Sequence, residues 1–507
     1  MQRKRLLIGL IVSLFAMFLF ACGGGGGGGG GGHGRISGKK LITSLGGAGL
    51  IAAPGGLIVI IPQKQGQISS GGGFNVPPVT MPAGATIIAA DTVWSGAING
   101  PITAGFKINA GVTVMVSNTI APINIGVDGP VVIAGKIVPA ATNTGPIGVS
   151  ISTAGPTGGP IVLTGSIDAS GPDNAAGSGV PGGTVFLANS LPVDNTFGIY
   201  IAGPISANGG NATGAAGNGG SGGPITIVGG DNEDILIKAD LETNGGSGAV
   251  GVGAGALGGP IAIYNNTNDG TDADEGGIFL YDVKRVDNAG GEGVNMGGPG
   301  GPIQLTSDIG GWDISAPIFN NGGEATGSAP GVGGPGGGVM VVSDVTLVEL
   351  LENADIKITD DIWGYSGGGL IGGGPSGPKT FTAVEGNLYI DGVIDVSGGL
   401  GTSTTAGQGG GNGGTVTASV ADNPATPENF SIAIREAVVN GGDGGDKGGN
   451  AGVITQMNPT LGYIYLGPHA LSVVGGDGIT TDGAIGIITL MGYTETVGHF
   501  PSYTSLP

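Results

Sequence analysis

Cysteine is nearly missing from this chain of 507 residues: Cys22 is the only one, so no disulfide can form within it. Histidine and arginine are also scarce, at three and five, which leaves general acid and base chemistry with few candidates beyond carboxylates. Three tryptophans, nine tyrosines and twelve phenylalanines are too few for several large conventional cores, although the length would allow three or four domains. Basic residues number 16 against 37 acidic ones, a balance that makes nucleic acid a poor partner and is explained most plainly by solubility. No Cys/His zinc spacing, P-loop lysine motif or Gly-x-Ser-x-Gly elbow occurs.

What the chain has in excess is glycine, 117 residues of it. The glycines keep no strict three-residue period, so they are not collagenous. They fall in blocks separated by short apolar runs such as Pro-Ile-Thr-Ile-Val at 224–228, and such runs can bury surface that a disordered segment cannot. Nine times a glycine block feeds a strand-like run, with marks at Pro160, Thr184, Pro224, Pro260, Pro302, Gly338, Pro378, Thr415 and Gly452, spaced 24, 40, 36, 42, 36, 40, 37 and 37. A period in this range signals a solenoid or a propeller.

Two apolar ladders emerge when the copies are stacked. The first is Ile161, Val185, Ile225, Ile261, Ile303 and Val339, with a second apolar residue two places on; Lys379 breaks it and leaves the register near Pro378 open. The second is Ile167, Ile205, Leu241, Val286, Ile318, Trp363, Ile394, Ala437 and Leu471, each followed by a mostly polar residue. That alternation is the period of a strand, and proline at a strand's first position costs little. Asparagine before glycine pairs fits corners, where left-handed backbone is tolerated. One repeat of about 36–42 residues is thus one turn of a right-handed parallel β-helix; a propeller needs more strand than these repeats hold. Ten coils at about 4.8 Å would make a rod of roughly 50 Å, with the glycine insertions at one corner, packed as extended polyproline-like strands.

The expected organisation is a signal peptide at 1–21, a lipidated glycine-rich tether at 22–40 and a capping region at 41–84. Tighter coils follow at 85–159, glycine-rich repeats at 160–491 and a tail at 492–507 that covers the last open edge. Residues 345–353 read equally as helix or strand. At the N-terminus, Met-Gln-Arg-Lys-Arg precedes an apolar run at 6–20 and then Leu-Phe-Ala-Cys, which resembles a bacterial lipoprotein leader. The resemblance implies cleavage before Cys22 and lipidation of its sulfur, although Phe20 departs from the small or aliphatic residue usual at that place. Losing Arg3, Lys4 and Arg5 with the leader takes the formal charge from −21 to −24. Gly23 carries no retention aspartate, so outer-membrane or cell-surface placement is implied.

The repeats, over about 85–491, resemble the glycine-rich parallel β-helix proteins of bacterial surfaces, including haemagglutinin-type adhesins, and more distantly the pectate-lyase-like fold. That resemblance implies a structural or adhesive envelope protein whose partners are the membrane, through Cys22, and a surface polysaccharide or another envelope protein. The alternative is a carbohydrate-active β-helix enzyme, a polysaccharide lyase or glycoside hydrolase. Its charged candidates are Arg285, expected to pair with Asp240 across coils, and the carboxylate pairs Asp360 with Asp361 and Asp391 with Asp395. Calcium is the one cofactor the sequence points to, at Asp269, Asp272, Asp274 and Glu275, without the spacing of an EF-hand. The Gly-Gly-Asp-Gly-Gly-Asp run ending at Asp446 opens like a calcium nonapeptide, but Gly448 sits where its apolar residue belongs.

Overall fold

The computed structural model describes residues 79–496 except 96–101, 118–122, 154–157, 190–197, 231–233, 266–276, 308–309, 328–330, 345–354, 385, 406–407, 422–429, 459–462 and 467–470. The leader, the tether, most of the capping region and the segment at 345–353 lie outside the described residues. Those that are described form strands and turns with no helix, and their strands pair in parallel throughout. The chain folds as a right-handed parallel β-helix.

One coil shows the plan. Ile199–Ile201 forms face one, Ile205–Ser206 face two, a glycine insertion projects at 209–223, and Ile225–Gly229 forms face three. The next coil repeats this, placing Ile235 on Ile199, Leu241 on Ile205 and Ile261 on Ile225. Faces one and two belong to a 23-stranded sheet and face three to a 12-stranded one. Twelve rungs at about 4.8 Å give a rod of roughly 55 Å, a little longer than ten coils allow. Coils lengthen from the start: Thr86, Phe106, Val131, Ile161 and Ile199 stack on one another at intervals of 20, 25, 30 and 38 residues. Tyr493–Thr496, within the expected tail, adds a further rung on Tyr463–Leu466.

Strand formation follows from alternation. On face three Ile225, Ile227, Ile261, Ile263, Ile303 and Leu305 point inward and are at most 1% exposed. Burying each is worth roughly 1.5–3 kcal/mol, and the stacked aliphatic side chains fill the interior between the faces. On face one the middle residues Val162, Tyr200 and Leu236 are buried as well, because an outer apolar cluster with Val79 and Phe279 covers them.

The alignment needed correcting at two places. Ile161 belongs to face one, between Val131 and Ile199, so the face-three ladder runs instead from Val149 to Val185. The aberrant 24-residue spacing was a step from one face to another. In the second ladder the inward residue is Ile362, stacked between Ile318 and Ile394, while Trp363 faces outward against Phe319 and Asp395. Ser366 stands there in the column of the first corner glycine, between Gly322 and Gly398, so counting back from the glycine pair is off by one, and a one-residue slip reverses every side chain.

Lys379 does not disturb the register. It stays between Val339 and Val416, is 0% exposed, and its Nζ donates to Asn320 Oδ1 at 2.9 Å and to the Gly337 carbonyl at 2.6 Å. Room for it comes from Gly364, where a Cβ would overlap the Lys379 ammonium.

Corner asparagines play a part other than turning the backbone. Ala104 and Asp282 are the non-glycine residues with left-handed φ among those described, and neither is an asparagine. Instead Asn208 Oδ1 accepts the Asn244 N–H at 2.7 Å and Asn244 Oδ1 accepts the Ala289 N–H at 2.8 Å. Each side chain therefore accepts from an amide of the following coil at a place where the backbone ladder lapses.

The glycine insertions are the second structural layer. Each runs outward and returns, and its limbs bond to their hairpin mate, to the preceding coil's return limb and to the same limb of the next coil. A single chain of bonds shows it: Gly483 N–H to Gly476, then Gly449, Gly442, Gly411, Gly399, Gly374, Gly367, Gly334, Gly323, Gly298, Gly291, Ala256, Gly246, Gly220, Gly210 and Val180, each link 2.7–3.3 Å. These are extended strands packed side by side, in the manner of polyproline II helices whose bonds all go to neighbours. Glycine is required for close approach, since a Cβ on Gly298 would overlap the Ala256 carbonyl. Gly298→Ala should therefore cost roughly 2–4 kcal/mol in urea unfolding. Gly368→Ala, whose Cβ would meet nothing nearer than the Leu400 oxygen at 3.7 Å, should stay within about 0.5 kcal/mol, and equal losses would refute the lattice.

Candidate functional site

Charge and rings converge on faces one and two of the middle coils. Glu242, Asp287, Phe319, Trp363 and Asp395 occupy one outward column of face two, rung upon rung. Phe279, Asp313, Lys357 and Tyr389 form the matching column of face one.

Arg285 lies at the corner between them. Its guanidinium donates through Nε to Glu242 Oε1 at 2.8 Å, pairs a second time with the same oxygen through Nη2, and reaches Asp287 Oδ2 at 3.4 Å. Asp240, the expected partner, instead accepts the backbone N–H groups of Lys284 and Arg285 at 3.0 and 3.3 Å. With Asp240 Oδ1 taken by these two amides, the long Arg285 side chain extends along the column to Glu242. Burial raises the Asp287 carboxyl above its ordinary range, against the Ala289 N–H and the Arg285 charge.

On face one, Asp313 Oδ2 accepts the Tyr281 hydroxyl at 2.7 Å and Lys357 Nζ at 2.6 Å, and Tyr281 stacks on Phe279 with centroids 5.9 Å apart. Burial and then the Asp313 charge push the Tyr281 phenol upward, so it stays a donor. Trp363 and Tyr365 meet edge to face at 6.3 Å, and Tyr365 is 42% exposed.

The carboxylate pairs are engaged locally. Asp361 Oδ1 accepts the Val393 N–H at 2.8 Å, and Asp360 Oδ1 accepts that of Asp361 at 2.8 Å. Asp391 pairs with Arg435 at 3.0 Å, while Asp395 holds the Ser397 amide and hydroxyl at 3.0 and 2.6 Å. In the nonapeptide-like run, Asp443 accepts the Asp477 N–H and Asp446 the Thr480 hydroxyl, both bonds between coils. Cys22 and the calcium candidates Asp269, Asp272, Asp274 and Glu275 lie outside the described residues. Among the described residues no group of three His, Cys, Asp or Glu side chains is arranged to hold a metal ion.

The aromatic column is hidden in the sequence because counting back from the glycine pair puts Trp363 in the inward ladder. The register that puts Ile362 inward also lines Phe319 up with Trp363, so the better alignment carried the signal. The architecture is that of the right-handed parallel β-helices. Beyond that, no family model, no curated protein and no solved structure matches the chain.

Asp234 supplies a pH test. Burial pushes its carboxyl up to about 7, against a bond from the Gly277 N–H at 2.9 Å. A raised carboxyl binds more protons folded than unfolded, so stability is highest below the unfolded value near 3.8 and falls as pH rises towards about 7. Asn387 plays the same acceptor role in its own coil, towards Ser431, so Asp234→Asn keeps the bond and removes the charge. The variant should melt higher than wild type at pH 8 and equally at pH 4; parallel curves would refute the assignment.

Proposed function

We propose that this is a lipid-anchored protein of the bacterial envelope or cell surface, with a structural or adhesive role. The observation that carries the reading is the glycine lattice. It bonds insertion to insertion along the rod, so that the projecting layer is held by its own continuous run of backbone bonds. A chain that commits this much of its length to a second bonded layer is suited to holding a shape and presenting a surface. The tether at 22–40 would hold that rod off the lipid.

Contact falls to the strip of Phe319, Trp363 and Tyr365, with Arg285, Glu242, Asp287 and Asp395 around it. Ring faces and hydrogen-bonding carboxylates suit a polyhydroxylated chain or another envelope protein. Contact is favoured over catalysis because Arg285 is engaged with Glu242 and Asp287, and Asp395 with the Ser397 amide and hydroxyl. Bound calcium at Asp269, Asp272, Asp274 and Glu275 remains part of this proposal.

A membrane-impermeant amine reagent applied to whole cells should label the wild-type protein, which should fractionate with membranes. Cys22→Ser should release it into the soluble fraction. A wild-type protein that is soluble and unlabelled would overturn the reading.

A further inference from the structure

The contact between Lys379 and Asn320 joins a primary amine to a carboxamide inside the core. Asn320 lies at the end of face two, in a wholly buried column that runs from Asn288 through Asn320 to Gly364. Lys379 enters from face three through the space Gly364 leaves. The amine nitrogen rests 2.9 Å from Asn320 Oδ1, and Asn320 Nδ2 is buried without a hydrogen-bond partner among the described residues. An orphan amide nitrogen there is costly, and nothing ties the carboxamide on that side.

We propose that Lys379 and Asn320 join in an intramolecular isopeptide bond. The Nζ–Cγ bond forms, the Cγ–Nδ2 bond breaks, one proton passes from Nζ to Nδ2, and ammonia leaves; no electrons are gained or lost. The torsion about Asn320 Cβ–Cγ is soft, and with Nδ2 unbonded it can swing Oδ1 aside and present the face of the carbonyl group to the amine. The product also fits its surroundings. A secondary amide retains one N–H on Nζ, and the Gly337 carbonyl already sits 2.6 Å away to receive it. The orphan donor and the buried amine both disappear.

Reactivity requires an unprotonated amine. Burial pulls the Lys379 ammonium down to about 7, opposed by the charge of Asp395, so at neutral pH the nucleophilic form is well populated. The bond would link face three of one coil to face two of an earlier one, residues 59 apart in sequence.

The purified full-length chain is tested by intact mass and by tandem mass spectrometry of a protease digest. The expected wild-type mass is short of the sequence mass by one ammonia, with a branched peptide joining the segments around Asn320 and Lys379. Lys379→Met and Asn320→Ser should each restore the full mass. Recovery of both residues in separate unmodified peptides would overturn the proposal, as would an ammonia loss without the branched peptide. If either variant fails to fold, the wild-type digest alone decides.

Discussion

Everything in this molecule depends on each coil satisfying the polar backbone of the next. In a parallel solenoid the strands of one coil have no partner within it, so N–H and C=O groups must find theirs one rung away. That requirement fixes the rise, and the rise fixes which side chains can follow. Inside, it selects residues that stack on copies of themselves, hence isoleucine on isoleucine along three faces. At corners, where the ladder would lapse, an asparagine oxygen replaces the missing carbonyl.

The same requirement explains the glycine. An insertion leaving a coil every rung must pack against its neighbours at the spacing the coils dictate, with two limbs in the width of one repeat. Side chains would hold those limbs apart. Glycine lets backbone touch backbone, and the bonds this permits offset part of the conformational entropy lost in ordering so flexible a residue. A composition that elsewhere accompanies disorder is thus a consequence of order.

Much of the fold was legible because apolar periodicity is a direct image of burial. Leu241, Val286 and Ile318 could be stacked from sequence, and so they stack. Legibility failed where counting from glycines lost the register. Pro160 begins a face-one strand that looks like the others, and Ser366 takes the place of the first glycine at its corner, which shifts the count by one. Lys379 was unreadable for another reason: its place in the core depends on Gly364 and Asn320, whose proximity exists only once the coils are wound. For the site, Arg285 could be seen to want a carboxylate, but Asp240 is taken by the backbone amides of Lys284 and Arg285, which leaves Glu242 as the partner.

Because every rung presents nearly the same upper and lower surface, the length of this rod comes in quanta. Adding or removing one whole repeat moves the two ends by a single rung and leaves each junction as it was. Adding or removing one residue within a strand would turn interior outward for that coil. Sequence change along this chain is therefore tolerated in steps of a coil, and reach is a property that duplication can tune without redesigning the fold.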